Sequence, residues 1–160
     1  MEAKRKQLIA WLKNAYGMEK SQIKMLDNFI SDFEDDQDIK DKLVEHKSET
    51  EDQIDKLESC LDKFDESPSK IKEISGSMMG SFQGMSTSAS DDKKIKDLLM
   101  IYAGENLEYG SYLSIKEAAD ELGEEEVSQI AGEIAEQEKS AAEWAEQQIP
   151  IVTSRQLAMA

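Results

Sequence analysis

Apolar residues along this chain recur at three- and four-residue intervals, the period of a helix with one face turned inward. Over 3–33 the inward stripe is Leu8, Leu12, Ala15, Ile23, Leu26 and Ile30. The polar run SDFEDDQD breaks it, and a second stripe over 38–64 uses Ile39, Leu43, Leu57, Leu61 and Phe64. A third helix is predicted over 91–122, with Leu98, Tyr102, Tyr112 and Ile115 inward, and a fourth over 124–148, with Ile130, Ile134, Ala141 and Ala145. Ser90 is the expected N-cap of the third helix and Gly123 its C-terminal stop. The acids Glu124, Glu125 and Glu126 suit the N-terminal dipole of the fourth, and Pro150 is expected to end it.

Residues 65–90 form the one long connection. Ser67-Pro68 predicts the start of a short helix carrying Ile71, Ile74, Met78 and Met79, and GSFQGMSTSASDD reads as a flexible link. Short turns make helices one and two, and then three and four, antiparallel hairpins. The long connection is enough to cross the length of a bundle. The expected architecture is all-α, a four-helix bundle occupying 1–160 as one domain, in the connectivity found in ferritin-like proteins.

Each stripe fails once, near its helix midpoint. Glu19 fills the gap in the first; His46, Glu49, Thr50 and Gln53 lie between Leu43 and Leu57 in the second. Glu105 and Glu108 interrupt the third, and Glu138 the fourth. Midpoints of antiparallel helices share a level, so these breaks are expected to meet. An unpartnered carboxylate in a bundle interior is costly, and one histidine cannot neutralise five. Two divalent cations would nearly balance Glu19, Glu49, Glu105, Glu108 and Glu138. Oxygen-rich ligation with one imidazole suits iron or manganese, with zinc as a substitute acquired on purification. Glu105 or Glu108, and one of Glu19 or Glu49, are the expected bridging groups. Tyr16, Tyr109 and Tyr112 lie within a turn of these positions and read first as packing residues. Trp11 and Trp144 read as core or interface anchors, and Cys60 as a small buried apolar residue.

Charge narrows the partners. The 160 residues contain 35 Asp plus Glu against 19 Lys plus Arg, a net charge of −16. Such a surface repels phosphate backbones and anionic lipid, which argues against nucleic acid and membrane. The N-terminal MEAKRKQLIAWLK does not have the form of a signal peptide, and the single cysteine gives no disulfide framework, so a cytoplasmic location is expected.

The segments AYGMEK, EHKSETEDQI, ENLEYGSY and EQEKSAAEW resemble, in order and over most of the chain, the YciE/YciF family of bacterial ferritin-like stress proteins, YciE more closely. The resemblance implies a small dimeric bundle, a link to stress responses and a dinuclear metal centre. Its pattern marks Glu19, His46, Glu49, Glu105, Glu108 and Glu138, the positions the stripes single out. Relatives of the YciF type have a histidine where this chain has Asn106 and an acid where it has Ala142, with Glu143 as the substitute. A carboxylate-dominated site is therefore expected. Reaction of a reduced centre with peroxide or dioxygen is the chemistry such a site would support, with no catalytic residue assigned. The competing reading is a non-catalytic interaction bundle whose polar layer is satisfied by water and hydrogen bonds, without metal.

Overall fold

A computed structural model describes residues 1–67 and 91–159, which form helices α1 (Glu2–Asp32), α2 (Gln37–Asp62), α3 (Lys93–Leu122) and α4 (Glu125–Met159). The predicted short helix with Ile71, Ile74, Met78 and Met79, and the Ser90 cap, lie outside the described residues. Asp92 occupies the capping position of α3.

Two apolar clusters define the directions of the helices. One gathers Leu8 and Leu12 of α1, Leu57 and Leu61 of α2, Ile115 and Ala119 of α3, and Val127 and Ile134 of α4. The other gathers Leu26 and Phe29, Phe33 beside α1, Ile39 and Leu43 of α2, Leu98 and Ile101 of α3, and Ala145 and Val152 of α4. The start of α1 therefore lies with the end of α2, the end of α3 and the start of α4. Helices α1 and α4 run one way, α2 and α3 the other. The side-by-side pairs are α1 with α2, α3 with α4, α1 with α3, and α2 with α4. All four pairs are antiparallel. Chain continuity carries the segment after Ser67 from one end of the bundle to Asp91 at the other, which is the ferritin-like connectivity.

Local chemistry places the turns. Asp36 caps α2, its carboxylate accepting from the backbone N–H of Ile39 at 3.4 Å. Gly123 stops α3 in a left-handed conformation, φ 72°, which is strained for a residue with a Cβ. Glu125 and Glu126 then open α4 against its N-terminal dipole.

Three expectations are corrected. Pro150 does not end α4, which continues to Met159. A proline inside a helix costs about 3 kcal/mol through a lost hydrogen bond and a ring clash. The distal turns recover a similar amount: Val152 is buried in the apolar cluster, Ile149 packs against it, and Arg155 pairs with Asp36 at 2.6 Å. On α1 the inward positions are Gln22, Leu26 and Phe29, with Ile23 and Ile30 only half-buried. On α3 Ile101 is buried and Tyr102 lies outside. Both shifts follow from apolar residues standing on two faces of one helix, so that periodicity alone does not fix the rotation. Among the anchors, Trp144 is half-buried in the apolar cluster and Trp11 is exposed, while Cys60 is buried as expected.

Since Pro150 is exposed, Pro150→Ala is expected to restore the helix bond without disturbing packing. It should stabilise the protein by roughly 1–3 kcal/mol and raise the melting temperature by several degrees, read by circular dichroism. A lowered melting temperature would show that the proline is needed for the path of the last turns.

Candidate metal centre

A polar layer separates the two apolar clusters. Helix α1 supplies Glu19 and Gln22, one turn apart; α2 supplies His46, Thr50 and Gln53 at helical spacing; α3 supplies Glu105 and Glu108; α4 supplies Glu138. All eight are buried, with Glu19, Thr50, Gln53 and Glu138 at 0% exposure. The inward direction of each is set by its neighbours on the same stripe. Glu19 continues the face of Leu12, Ala15 and Leu26, and Glu138 that of Ile134, Ala141 and Ala145. The flanking hydrophobes hold the acids in place, and no acid could turn outward without rotating its whole helix.

The layer is wired by few bonds. His46 Nε2 lies 3.0 Å from Glu105 Oε1. Gln22 Nε2 donates to the same oxygen at 2.5 Å, and Gln53 Nε2 donates to Glu138 Oε1 at 2.6 Å and to Gln137 at 3.1 Å. The Tyr112 hydroxyl donates to Glu19 Oε1. Thr50 donates to the carbonyl of His46 on its own helix. Where Glu108 and Glu138 hold protons they also hydrogen-bond to Glu105. With all the acids ionised, seven buried polar atoms among the described residues have no hydrogen-bond partner: Oε2 of Glu19, Glu105, Glu108 and Glu138, Oε1 of Gln22 and Gln53, and Nδ1 of His46. Each group left unmet in a buried layer costs about 1–3 kcal/mol. The ionic partner of these acids is His46; no Lys or Arg pairs with the four buried glutamates among the described residues.

Protonation follows from that geometry. Burial raises the Glu19 carboxyl to about 8, its bond from Tyr112 only partly offsetting this. Burial, reinforced by the neighbouring acids, also pushes Glu108 and Glu138 well above the usual range. Burial opposes a charged His46, but the adjacent Glu105 outweighs it and raises the imidazole to about 10. Glu105 moves the other way: burial raises it, but the imidazolium and hydrogen bonds from Glu138 and Glu108 bring it below the ordinary value. Tyr112 is driven up by burial and by the negative charge of Glu19.

The residues singled out in the sequence do not all arrive at one point. His46, Glu105 and Glu138 each offer a donor atom within 4.8 Å of the others. Glu19 and Glu108 belong to the same buried layer, and Glu19 and Glu105 repel each other electrostatically. Glu49 stands one step out: its side chain is 36% exposed, and its Oε2 lies 3.6 Å from His46 Nδ1. Asn106 is exposed and donates to the carbonyl of Tyr102, Ala142 is buried, and Glu143 faces solvent, so neither Asn106 nor Glu143 joins the layer. Tyr16 donates to Glu58 at 2.9 Å and Tyr109 is half-buried. Tyr112 is more than packing, since its hydroxyl is committed to Glu19. Gln22 is missed by periodicity because the stripe is drawn through Ile23, one position and about 100° away. A Gln three residues after a stripe-breaking Glu is the signal that would find it.

The chemistry of the donor set fits a hard divalent cation. Four carboxylate oxygens without partners face the layer, beside one imidazole, with no thiolate. Four buried carboxylates match the charge of two divalent ions. No helix among the described residues is long and apolar enough to cross a membrane.

Comparison with known proteins agrees with this architecture. A protein of Xanthomonas campestris of known structure shares 30% identity, with a TM-score of 0.82 over 98% of this chain and 97% of that one. YciF, a stress protein of Escherichia coli, is 19% identical with a TM-score of 0.77, covering 93% of this chain and 96% of its own. YcfI of Rhodopseudomonas palustris is 20% identical with a TM-score of 0.75, covering 89% and 92%. The family DUF892, described as a domain of unknown function, matches residues 3–158. With that match over nearly its full length, and with a ferritin-like four-helix bundle, the chain belongs to the DUF892 family.

Proposed function

We propose that this protein is a ferritin-like metalloprotein holding two divalent ions, iron or manganese, in the polar layer, and that it serves in stress through reaction with peroxide or dioxygen. The observation that carries the reading is the set of four unpartnered, buried Oε2 atoms on Glu19, Glu105, Glu108 and Glu138, contributed by three helices. Those glutamates and His46 would hold the metal. When bound, the ions would supply electrons and Lewis acidity. The chain supplies the rest: apolar clusters above and below exclude water, and the buried acids exchange protons for cations. The stress assignment rests on the designation of the E. coli relative, and the cytoplasm is the compartment proposed.

The competing reading, a polar layer satisfied without metal, separates cleanly by experiment. Mn(II) or anaerobic Fe(II) is expected to raise the melting temperature of chelator-treated protein, by about 2.7 kcal/mol of added stability at a hundredfold excess over Kd. The Glu105→Ala, Glu138→Ala double variant should lose that gain while remaining folded. A wild-type melting temperature indifferent to both ions would favour the interaction bundle.

A pH dependence follows with a definite sign. Glu19 and His46 have folded values raised to about 8 and about 10, and Glu108 and Glu138 shift the same way. Groups raised on folding stabilise below their unfolded values and lose that contribution as pH climbs through the folded ones. Surface acids with lowered values, such as Asp35 and Asp120, are already ionised in both states above about pH 6 and do not offset the trend. Metal-free protein should therefore lose stability from pH 6 to 8.5, and Mn(II), replacing the protons, should flatten the slope. A metal-free midpoint that rises across this range would contradict the layer described here.

We also propose that the protein is a homodimer joined through the outer face of α3. Between Leu98 and Ile115 the charged residues of α3 are Glu105 and Glu108, both buried, and Leu99, Tyr102, Leu107 and Leu113 are exposed. Asn106, Ser111 and Ser114 on that side donate to their own helix carbonyls. Among the described residues nothing lies within 4 Å of a Cβ added at Gly104 or Gly110, so contacts between those residues give no reason for a glycine in a helix interior. A groove of about 360 Å³ lies between α1 and α3, lined by Trp11, Met18 and Leu107. A second copy carries the same net charge of −16 and is repelled least where charge is absent, which favours this face. Light scattering should give twice 18.0 kDa for the wild type and the single mass for Leu107→Glu. A monomeric wild type would dismiss the interface.

A further inference from the structure

The proposed ligands of the polar layer are accompanied by a second set of side chains that holds them, one partner to each of four ligands. Tyr112 on α3 donates to Glu19 on α1; Gln22 on α1 donates to Glu105 on α3; Gln53 on α2 donates to Glu138 on α4. In all three cases the bond takes Oε1 and leaves Oε2 without a partner. For His46 the arrangement is the same in kind: Nε2 faces the layer at 3.0 Å from Glu105, and Nδ1 faces Glu49 Oε2 at 3.6 Å, at the solvent edge. The bonds from Tyr112 and Gln22 cross between α1 and α3, and the bond from Gln53 crosses between α2 and α4. These partners therefore fix the relative rotation of helices as well as of side chains.

The two glutamines show what they are kept for. Each uses its N–H on a carboxylate and leaves its own Oε1 buried and unpartnered. Turning the amide over would set oxygen against oxygen. A lysine or arginine could also donate here, but would bring a charge that neutralises one glutamate. Glutamine orients the carboxylate and leaves its negative charge for a cation.

We propose that Gln22, Gln53, Tyr112 and Glu49 are positioning residues, each restraining one ligand so that its remaining donor atom is aimed at the bound cations, and that the neutrality of Gln22 and Gln53 preserves the charge needed for two of them. Glu49, marked as a ligand in the sequence, is thereby reassigned as the carboxylate that accepts from His46 Nδ1–H when Nε2 is given to metal. Outer partners of this kind support affinity by about 10- to 100-fold each. The proposal rests on the metalloprotein reading above and is tested so that the two fail separately.

The experiment titrates chelator-treated protein with Co(II), reading stoichiometry and affinity by calorimetry and ligand geometry by the visible spectrum. Gln22→Met and Gln53→Met match the side chain in size and remove the donor. They should bind the same number of ions about 10- to 100-fold more weakly, with an altered Co(II) spectrum. Glu49→Gln, at the half-exposed edge where folding is not at risk, should keep the full count and change the spectrum. Gln53→Lys, which keeps a donor and adds a charge, should melt higher than wild type without metal and bind fewer ions. Unchanged Co(II) affinity and spectrum in the methionine variants, with only stability altered, would reduce these residues to structural supports. A lost ion in Glu49→Gln would restore Glu49 as a ligand and overturn its reassignment. A wild type that takes up no Co(II) would instead overturn the metalloprotein reading itself.

Discussion

Carboxylates out of reach of water are the constraint around which this fold is organised. Moving a charged carboxylate from water to a protein interior costs several kcal/mol even after relaxation, and like charges at one level add to it. Four glutamates and one histidine sit at the midpoint of the bundle, and among the described residues no Lys or Arg is paired to the glutamates. Something must offset that cost. Protons do so for the metal-free chain, which is why Glu19, Glu108 and Glu138 are all raised. Divalent cations would do so better, because each removes two charges and satisfies oxygens that a single proton leaves bare.

The rest of the molecule makes this concentration of charge tolerable. An apolar cluster lies on either side of the layer, so the glutamates cannot reach solvent without dismantling one of two cores. The antiparallel neighbours bring helix midpoints together, and the long connection between α2 and α3 lets those two helices run parallel on the diagonal. The last turns of α4, carried past Pro150 by Val152 and Arg155, extend the cover over one end of the bundle. Even the neutral donors Gln22 and Gln53 serve the same end, restraining carboxylates without discharging them.

Much of this was legible in the sequence, and for one reason. A glutamate on an otherwise apolar stripe has no local explanation, so Glu19, Glu105, Glu108 and Glu138 declare themselves wherever periodicity is clear. The architecture follows from turn lengths, and Gly123 from the chemistry of helix ends. What periodicity could not supply was rotation to better than one residue. Ile23 competes with Gln22 for the inward position, and Tyr102 with Ile101, because each helix carries apolar side chains on more than one face. Pro150 misleads for a different reason: the local penalty is real, but packing of Val152 and Ile149 and the Arg155–Asp36 pair offset it. Glu49 falls between these cases. Its spacing to His46 is right, yet a side chain at a helix flank is half in solvent, and a sequence does not tell an inward position from its neighbour at the rim.

The most direct test of the central claim is anomalous diffraction from crystals grown with Mn(II), recorded at a wavelength where manganese scatters anomalously. The account predicts two anomalous peaks inside the bundle, enclosed by Glu19, His46, Glu105, Glu108 and Glu138. Peaks confined to the acidic surface, with the interior glutamates still bonded to one another and to Tyr112, Gln22, Gln53 and His46, would contradict it.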